Sequence, residues 1–113
     1  MAKHEAVDRM KKVLIICAGG MSSSLIAKKT MELLQKDGED IFVEACGTGE
    51  GKKRIENQLY DLYLFSPQTK MYYKMLEEQA KKTGQSIAQI PPQAYIPVDI
   101  GIKKMAQLVK DEL

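Results

Sequence analysis

The sequence predicts an α/β domain built on a parallel sheet. Short runs rich in Ile, Val and Leu alternate along the chain with longer amphipathic segments. Strands that alternate with helices form parallel sheets through right-handed crossovers. The chain has 113 residues, enough for one domain with its own hydrophobic core. In such sheets ligands bind outside the carboxyl ends of the strands, so the segments that follow the strands are the places to search for a site.

The first half of the chain predicts two strands and two helices. Lys12–Ile16 is almost wholly apolar, as expected for a strand that is covered on both faces. The next helix runs from about Ser22 to Lys36, capped by Ser22 or Ser23. Its predicted buried stripe consists of Leu25, Ile26, Met31, Leu33 and Leu34. After the second strand, Ile41–Cys46, we expect a plain glycine-rich turn over Gly47–Gly51 and then a short polar helix over Lys52–Gln58.

The second half repeats the alternation. Leu62–Phe65 predicts the third strand, which is broken by Ser66-Pro67-Gln68. In the helix from about Thr69 to Thr83, the residues that repeat at helical spacing are Met71, Tyr72, Met75, Leu76 and Ala80. We expect Met71, Tyr72 and Met75 to face the core and Tyr73 to face solvent. Ile87–Ile90 predicts the fourth strand. Asp99 is placed to cap the last helix, whose apolar face consists of Ile102, Met105, Ala106 and Val109.

Composition excludes several classes of protein. A net charge of +2 gives no reason to expect nucleic-acid binding, and no apolar run is long enough to cross a bilayer. The start of the chain has no apolar segment typical of a secretory signal, so two cysteines predict a reducing cytosol rather than a disulfide framework. One histidine and two cysteines without Cys-x-x-Cys spacing predict no metal site. Residues 1–10 are interpreted as an N-terminal extension, with His4 a solvated side chain.

The segment Cys17–Ser24 is the candidate site. It places a cysteine at the end of a strand, then Ala18, Gly19, Gly20 and Met21, and then Ser22, Ser23 and Ser24 at the start of a helix. Glycines allow backbone amides to curve around an anion, and the helix N-terminus adds further donors. The same surroundings stabilise a thiolate. We therefore predict that Cys17 is a nucleophile that accepts phosphate and that residues 18–24 bind the phosphate oxygens. The hypothesis requires a reachable sulfur with these amides directed towards it.

The same segment resembles a known family. Cys17-Ala18-Gly19-Gly20-Met21-Ser22-Ser23-Ser24-Leu25 between strand and helix is similar to the enzyme IIB component of the lactose/cellobiose (chitobiose) branch of the bacterial sugar phosphotransferase system (PTS). Pro67-Gln68 after the third strand resembles the Pro-Gln turn of that family. The resemblance covers residues 11–113. It implies a single-domain three-layer sandwich with a four-stranded parallel sheet in the order 2-1-3-4, similar to low-molecular-weight tyrosine phosphatases.

The resemblance also implies a function. A phosphohistidine of the IIA partner would give its phosphoryl group to Cys17, and phosphocysteine would pass it to a sugar bound by the membrane component IIC. The sugar would be a cellobiose-, chitobiose- or lactose-type disaccharide, with a β-linked disaccharide of the first two types preferred. The protein would then be a cytoplasmic phosphotransferase and a monomer that meets the membrane only through IIC, without a cofactor. Met21, Pro67 and Tyr72 are the residues considered for a docking rim.

Three alternatives stay open at this point. A low-molecular-weight phosphatase has an arginine six positions after its cysteine, whereas this chain has Ser23, and Asp99 is a weak candidate for its general acid. A thiol redox enzyme or arsenate reductase would use Cys17 together with Cys46. We instead expect Cys46 to be a structural residue, since free cysteine often acts as a small buried hydrophobe. An interaction domain without catalysis would leave the glycine-serine segment unexplained, and Lys52, Lys53 and Arg54 are interpreted as a solvated face.

Overall fold

Four parallel strands form the centre of the molecule in the order β2-β1-β3-β4. The computed structural model describes residues 11–17 and 22–113, without the side chains of Ser22, Gln68 and Lys70. The strands are β1 (Lys11–Cys17), β2 (Ile41–Gly47), β3 (Leu62–Phe65) and β4 (Ser86–Gln89). The predicted parallel sheet and its strand order are confirmed.

Four helices cover the two faces of the sheet. They are α1 (Ser22–Lys36), α2 (Thr48–Glu56), α3 (Lys70–Lys82) and α4 (Asp99–Glu112), with short 3-10 turns over Pro67–Thr69 and Pro92–Ala94. Helices α1 and α4 pack together, and so do α2 and α3. The architecture is therefore the three-layer α/β sandwich that the sequence predicts. None of the helices in the described part of the chain is long and apolar enough to cross a membrane.

The alternation of side chains along β1 divides the core into two clusters. Val13 and Ile15 point towards α1 and α4, whereas Leu14 and Ile16 point towards α2 and α3. Because both faces are covered, the strand is apolar throughout its buried length. The larger cluster also contains Leu62, Leu64, Ile26, Leu34, Ile102, Met105 and Val109. The smaller one contains Ile55, Tyr63, Phe65, Leu76 and Ala80.

The glycine-rich segment after β2 is not the plain turn that we expected. Gly47 ends β2, and α2 begins immediately at Thr48. The physical reason lies at Gly51, which is buried against β1: a Cβ atom there would lie 2.8 Å from Cδ1 of Ile16. The glycine therefore lets the helix pack directly on the central strand, and α2 ends at Glu56 rather than Gln58.

The orientation predicted for α3 is confirmed for Leu76 and Ala80, which are buried, but is wrong for the other residues of the predicted stripe and for Tyr73. Met71 is 81% exposed, and Met75 and Tyr72 are exposed as well. Tyr73 is half-buried on the side of Leu76 and Ala80, and Thr69, just before the helix, is buried as well. Tyr73 packs edge-on against Phe65, with ring centroids 5.4 Å apart. Both sets have helical spacing, so periodicity alone does not distinguish them, and the contact with β3 selects the second.

Two smaller expectations also need correction. Val98, not Asp99, is the N-cap of α4; Asp99 is its first residue and makes no capping hydrogen bond. Leu25 is largely exposed rather than part of the buried stripe of α1. The residues of α1 that are most deeply buried include Ser23, Ile26, Ala27, Thr30 and Leu34, which share one helical face.

Candidate functional site

Cys17 lies where the topology of the sheet favours a site. It is the last residue of β1, and β1 lies between β2 and β3. The chain runs from β1 to β2 on one side and then crosses back to β3 on the other, so the order of the strands reverses beside β1. Open parallel sheets bind ligands at this switch point, outside the carboxyl ends of the strands. The local sequence and the topology therefore indicate the same place.

Among the described residues, two polar groups contact the thiol of Cys17. Its Sγ donates a hydrogen bond to Ser23 Oγ at 2.9 Å and lies 3.5 Å from the carbonyl oxygen of Cys46. The side chain is only 3% exposed, so the sulfur is covered rather than open to solvent as we expected. The reason is the alternation along β1, which directs Cys17 to the same side as Val13 and Ile15, beneath the start of α1.

The serines at the start of α1 do not share one environment. Ser23 is buried and contacts the thiol, whereas Ser24 is exposed. The backbone of Ser22 begins the helix, but its side chain lies outside the described set, so the predicted cap is not tested. Ala18, Gly19, Gly20 and Met21 lie outside the described residues. Their roles as phosphate ligands remain predictions.

Ser66 is a residue near the site that the sequence reasoning missed. It directly follows β3, and its amide donates a hydrogen bond to the carbonyl oxygen of Ile16 at 2.9 Å. The pairing of Ile16 with Phe65, continued by one residue, places Ser66 opposite Cys17. The signal was available in the sequence: a polar residue that immediately follows an apolar strand lies at the edge where the carboxyl ends of parallel strands meet.

Cys46 lies on β2 opposite Ile16, the residue before Cys17, but its side chain is on the other face of the sheet from that of Cys17. It pairs with Ile16 across β1 and β2, so its side chain lies on the α2 and α3 side of the sheet and packs against the smaller cluster. Burial raises the pKa of the Cys46 thiol to about 11, and the positive charge of Arg54 opposes this only in part. Side chains on opposite faces cannot form a disulfide without distorting a strand. The arrangement disfavours a redox pair of Cys17 and Cys46.

A polar network joins α2 to the sheet on the Cys46 side. Arg54 donates a hydrogen bond to Tyr60 Oη at 2.7 Å and lies 3.5 Å from the carboxylate of Glu44, which in turn accepts a hydrogen bond from Tyr60. Arg54 also pairs with Glu50 at 3.4 Å. Lys52 and Lys53 are exposed, as predicted, but Arg54 is half-buried within this network. Its interpretation as part of a solvated face is wrong.

Two further expectations concern metals and a general acid. Among residues 11–17 and 22–113, no group of three His, Cys, Asp or Glu side chains is arranged to hold a metal ion. Asp99 lines surface cavities between α1 and α4 together with Lys29, and no contact between Asp99 and Cys17 is seen in the described part of the chain. A phosphatase-like acid is therefore not in place beside the thiol.

The fold and the site define an α/β domain with a thiol at the switch point of a parallel sheet, under the first turn of a helix. The sequence matches the family described as "PTS system, Lactose/Cellobiose specific IIB subunit" over residues 12–110. It is 31% identical over 86 residues to the PTS system oligo-beta-mannoside-specific EIIB component of Bacillus subtilis (strain 168), a match that covers 76% of this chain and 82% of that relative.

Two solved structures have the same fold. The lactose-specific IIB component domain of the PTS from Streptococcus pneumoniae superposes with a TM-score of 0.79 at 24% identity, covering 92% of this chain and 98% of that one. The cellobiose-specific phosphotransferase IIB component of Borrelia burgdorferi superposes with a TM-score of 0.69 at 23% identity, covering 91% of each chain. The chain belongs to the lactose/cellobiose-specific IIB family of the sugar PTS. IIB components have a general phosphotransferase role in sugar transport and work with IIA and IIC partners.

Proposed function

We propose that this protein is a phosphocarrier that uses Cys17. In the first step the sulfur attacks the phosphoryl group of a IIA phosphohistidine: the P–N bond breaks, the S–P bond forms, and the thiol proton passes to the imidazole nitrogen. In the second step a hydroxyl of the sugar held by IIC attacks phosphorus, the S–P bond breaks, and the hydroxyl proton returns to sulfur. The observation that carries this proposal is the position of Cys17 at the switch point, with its thiol joined to Ser23 at the start of α1.

The polar groups around Cys17 are suited to a carrier. Phosphoryl transfer depends mainly on positioning and on stabilising negative charge. The start of α1 provides backbone amides and the positive end of the helix dipole, and Ser23 provides a neutral hydroxyl. Arginine at position 23 would hold a phosphate dianion more strongly and slow its release. Serine there supports transfer onwards and argues against a phosphatase.

The burial of the thiol has a consequence for the first step. Cys17 is 3% exposed, so this state of the protein does not meet the requirement for a reachable sulfur, and a phosphohistidine cannot react until the sulfur is uncovered. We propose that docking of the partner supplies this change, because a free carrier with a covered thiol is protected from unwanted reactions. Its phosphoryl group would likewise be protected from water between the two transfers.

Exposed apolar side chains support docking beside Cys17. Met71, Tyr72 and Met75 lie on the first half of α3, which begins at the same edge of the sheet as the carboxyl end of β1. Tyr72 and Met75 line one shallow cavity with Lys52 of α2. We call Met71, Tyr72 and Met75 the α3 patch. Pro67, which we considered for the rim, is half-buried, and Met21 lies outside the described residues.

We assign the α3 patch to IIA rather than to IIC. Lys52 lines the same cavity as Tyr72 and Met75, and Lys74 is exposed next to Met75 on α3, although Glu78 also lies one helical turn beyond Met75. Cytoplasmic loops of membrane proteins are enriched in lysine and arginine, so they complement a lysine-bordered patch poorly. A IIA partner with a phosphorylated histidine brings negative charge to the same border.

The remaining parts of the proposal follow from the family. We propose that residues 11–113 form the IIB domain after an extension of residues 1–10, and that the domain acts as a cytoplasmic monomer that reaches the membrane only through IIC. The relatives are named for lactose, cellobiose and oligo-beta-mannosides, all of which have β-linked sugars. We therefore propose a β-linked disaccharide or short oligosaccharide as the final phosphoryl acceptor.

The proposal is tested with a phosphorylated IIA component and mass spectrometry of the intact protein. We expect one added phosphoryl group on the wild-type chain, none on Cys17→Ser, and an unchanged level on Cys46→Ser. Added IIC with a β-linked disaccharide should remove the group and produce a sugar phosphate. Phosphorylation that persists in Cys17→Ser, or rapid hydrolysis of p-nitrophenyl phosphate by the wild-type protein, would contradict the carrier function.

A further inference from the structure

Ser66 occupies the position next to Cys17 across the switch point. The register of β1 and β3 pairs Ile15 with Leu64 and Ile16 with Phe65, and the amide of Ser66 continues the ladder by donating to the carbonyl oxygen of Ile16. If this register is extended by one residue past the end of β3 at Phe65, Ser66 lies opposite Cys17. Adjacent strands are about 4.8 Å apart, so the two side chains start from neighbouring positions at the same edge of the sheet.

The two side chains also belong to the same face. Val13 and Ile15 of β1 lie in the larger core cluster together with their partners Leu62 and Leu64 of β3. Side chains alternate along each strand, so the next members of these two rows are Cys17 and Ser66. Both therefore lie on the side that α1 covers.

The hydroxyl of Ser66 is buried without a partner. Ser66 is 2% exposed, and within the described part of the chain its Oγ makes no hydrogen bond. Its backbone is fully engaged: the amide bonds to Ile16, and the carbonyl oxygen accepts bonds from the amide and the hydroxyl of Thr69. Since buried hydroxyls almost always have a partner, an unpaired one beside a reactive group is a candidate donor to the group which that thiol carries.

We propose that Ser66 binds the phosphoryl group carried by Cys17, with its Oγ–H donating to a phosphate oxygen. This inference rests on the carrier function proposed above. The Ser66 hydroxyl has no hydrogen-bond partner among the described residues, and it would gain a phosphate oxygen as its acceptor when Cys17 is phosphorylated. Ser23 from α1 and Ser66 from β3 would then contact the group from two sides, both as neutral donors that permit release.

The chain offers a matched control for this role. Thr30 has a second buried hydroxyl without a partner in the described residues, and it is 0% exposed. It lies two turns along α1 from Ser23, about 10 Å farther from the thiol end of the helix. Replacing it by valine removes a buried hydroxyl of the same kind with no access to Cys17.

The test compares Ser66→Ala, Ser66→Thr and Thr30→Val with the wild-type protein. Each is equilibrated with a phosphorylated IIA component, and phosphocysteine is quantified by intact mass. Loss of a hydrogen bond to a charged group predicts that the transfer equilibrium falls about tenfold or more in Ser66→Ala. Ser66→Thr should recover most of it, and Thr30→Val should match wild type. Melting temperatures without phosphate should not fall in Ser66→Ala, because the hydroxyl it loses has no partner.

The outcomes separate this inference from the carrier function. If the wild-type chain takes up phosphate and Ser66→Ala reaches the same equilibrium, the role of Ser66 is refuted while the carrier function stands. If the wild-type chain takes up none, both proposals fall. Should Ser66→Ala fail to fold, NMR of the wild-type protein decides: phosphorylation must slow exchange of the Ser66 hydroxyl proton and leave that of Thr30 unchanged, and an unchanged Ser66 proton overturns the inference.

Discussion

The thiol of Cys17 donates a hydrogen bond to Ser23 Oγ across 2.9 Å and so connects the end of β1 to the first turn of α1. The two residues are six positions apart in the chain, and the segment between them contains Gly19, Gly20 and Ser22. The bond keeps the sulfur beneath the helix. It also places a hydroxyl where a phosphoryl group on that sulfur would find a donor.

Replacing Ser23 by alanine should slow phosphoryl uptake. The variant removes a hydroxyl that would donate to the charged phosphoryl group, a loss of about 1.5 kcal/mol and hence roughly a tenfold slower transfer from phosphorylated IIA. Rapid-quench kinetics measure the rate. Ser24→Ala is the matched control, because it removes an exposed hydroxyl from the next residue of the helix and keeps the backbone amide that is predicted to bind phosphate. Equal rates for the two variants would show that the contact with Ser23 does not assist transfer.

The sequence predicted the strands and the position of Cys17 well because both depend on local features. Each strand is a short apolar run between clear breaks, and Leu62–Phe65 was predicted with the bounds that the structure has. The burial of Cys17 was not predicted. It depends on which face of β1 the last residue occupies and on where α1 begins, and both are properties of the packed sheet.

The helices show where periodicity is insufficient. In α3, Met71 and Met75 are as regularly spaced as Tyr73, Leu76 and Ala80, and only contact with β3 decides which set is buried. The same limit applies to Ser66. A strand break predicts its place in the chain, but its position opposite Cys17 follows from the strand register, which a single sequence does not specify.

Cys46 should be dispensable for transfer and slow to react. Its raised pKa of about 11 leaves roughly one thiol in a thousand ionised at pH 8, and the thiolate is the form that alkylating reagents attack. In a Cys17→Ser background, Cys46 is the remaining thiol. Its reaction with iodoacetamide at pH 8 should be at least tenfold slower in the folded protein than in guanidinium. Cys46→Ser should accept phosphate normally; a loss of uptake would indicate a direct role.

Tyr60 should make stability depend on pH in the alkaline range. Burial and the hydrogen bond to Glu44 raise the pKa of Tyr60 to about 12, so the unfolded chain releases this proton first as the pH rises above 10. The contribution of Tyr60 to the free energy of unfolding is therefore fully present below pH 10 and is lost as the pH rises from 10 to 12. Tyr60→Phe should be about 1 kcal/mol less stable at pH 7 and should lose less stability over the alkaline window.

Urea unfolding at several pH values measures this difference. Tyr63, whose pKa is also raised by burial, is present in both proteins and so cancels in the comparison. Parallel stability curves for wild type and Tyr60→Phe above pH 10 would show that Tyr60 ionises equally in the folded and unfolded states.

Gly101 should not tolerate a side chain. A Cβ atom at this position would lie 2.4 Å from the carbonyl oxygen of Ile96, a backbone atom that cannot turn aside. Gly101→Ala should therefore lower the free energy of unfolding by about 2 kcal/mol as α4 shifts away from Ile96. Gly49→Ala is the control, since no atom lies within 4 Å of a Cβ atom there and alanine favours the helix by about 0.5 kcal/mol. Similar stabilities for the two variants, measured by urea unfolding, would contradict the predicted clash.

Phosphoryl transfer from IIA should require the α3 patch, whereas the stability of the fold should not. Met75 is 56% exposed, so Met75→Glu loses little core packing while it places a charge within an apolar contact. We expect about a tenfold lower rate of phosphoryl uptake at limiting IIA, with an unchanged melting temperature. Leu59→Glu is the matched control, because Leu59 is 52% exposed but precedes β3 at the opposite edge of the sheet. If the two variants slow uptake equally, or if Met75→Glu impairs only transfer to IIC, the assignment of the patch to IIA is wrong.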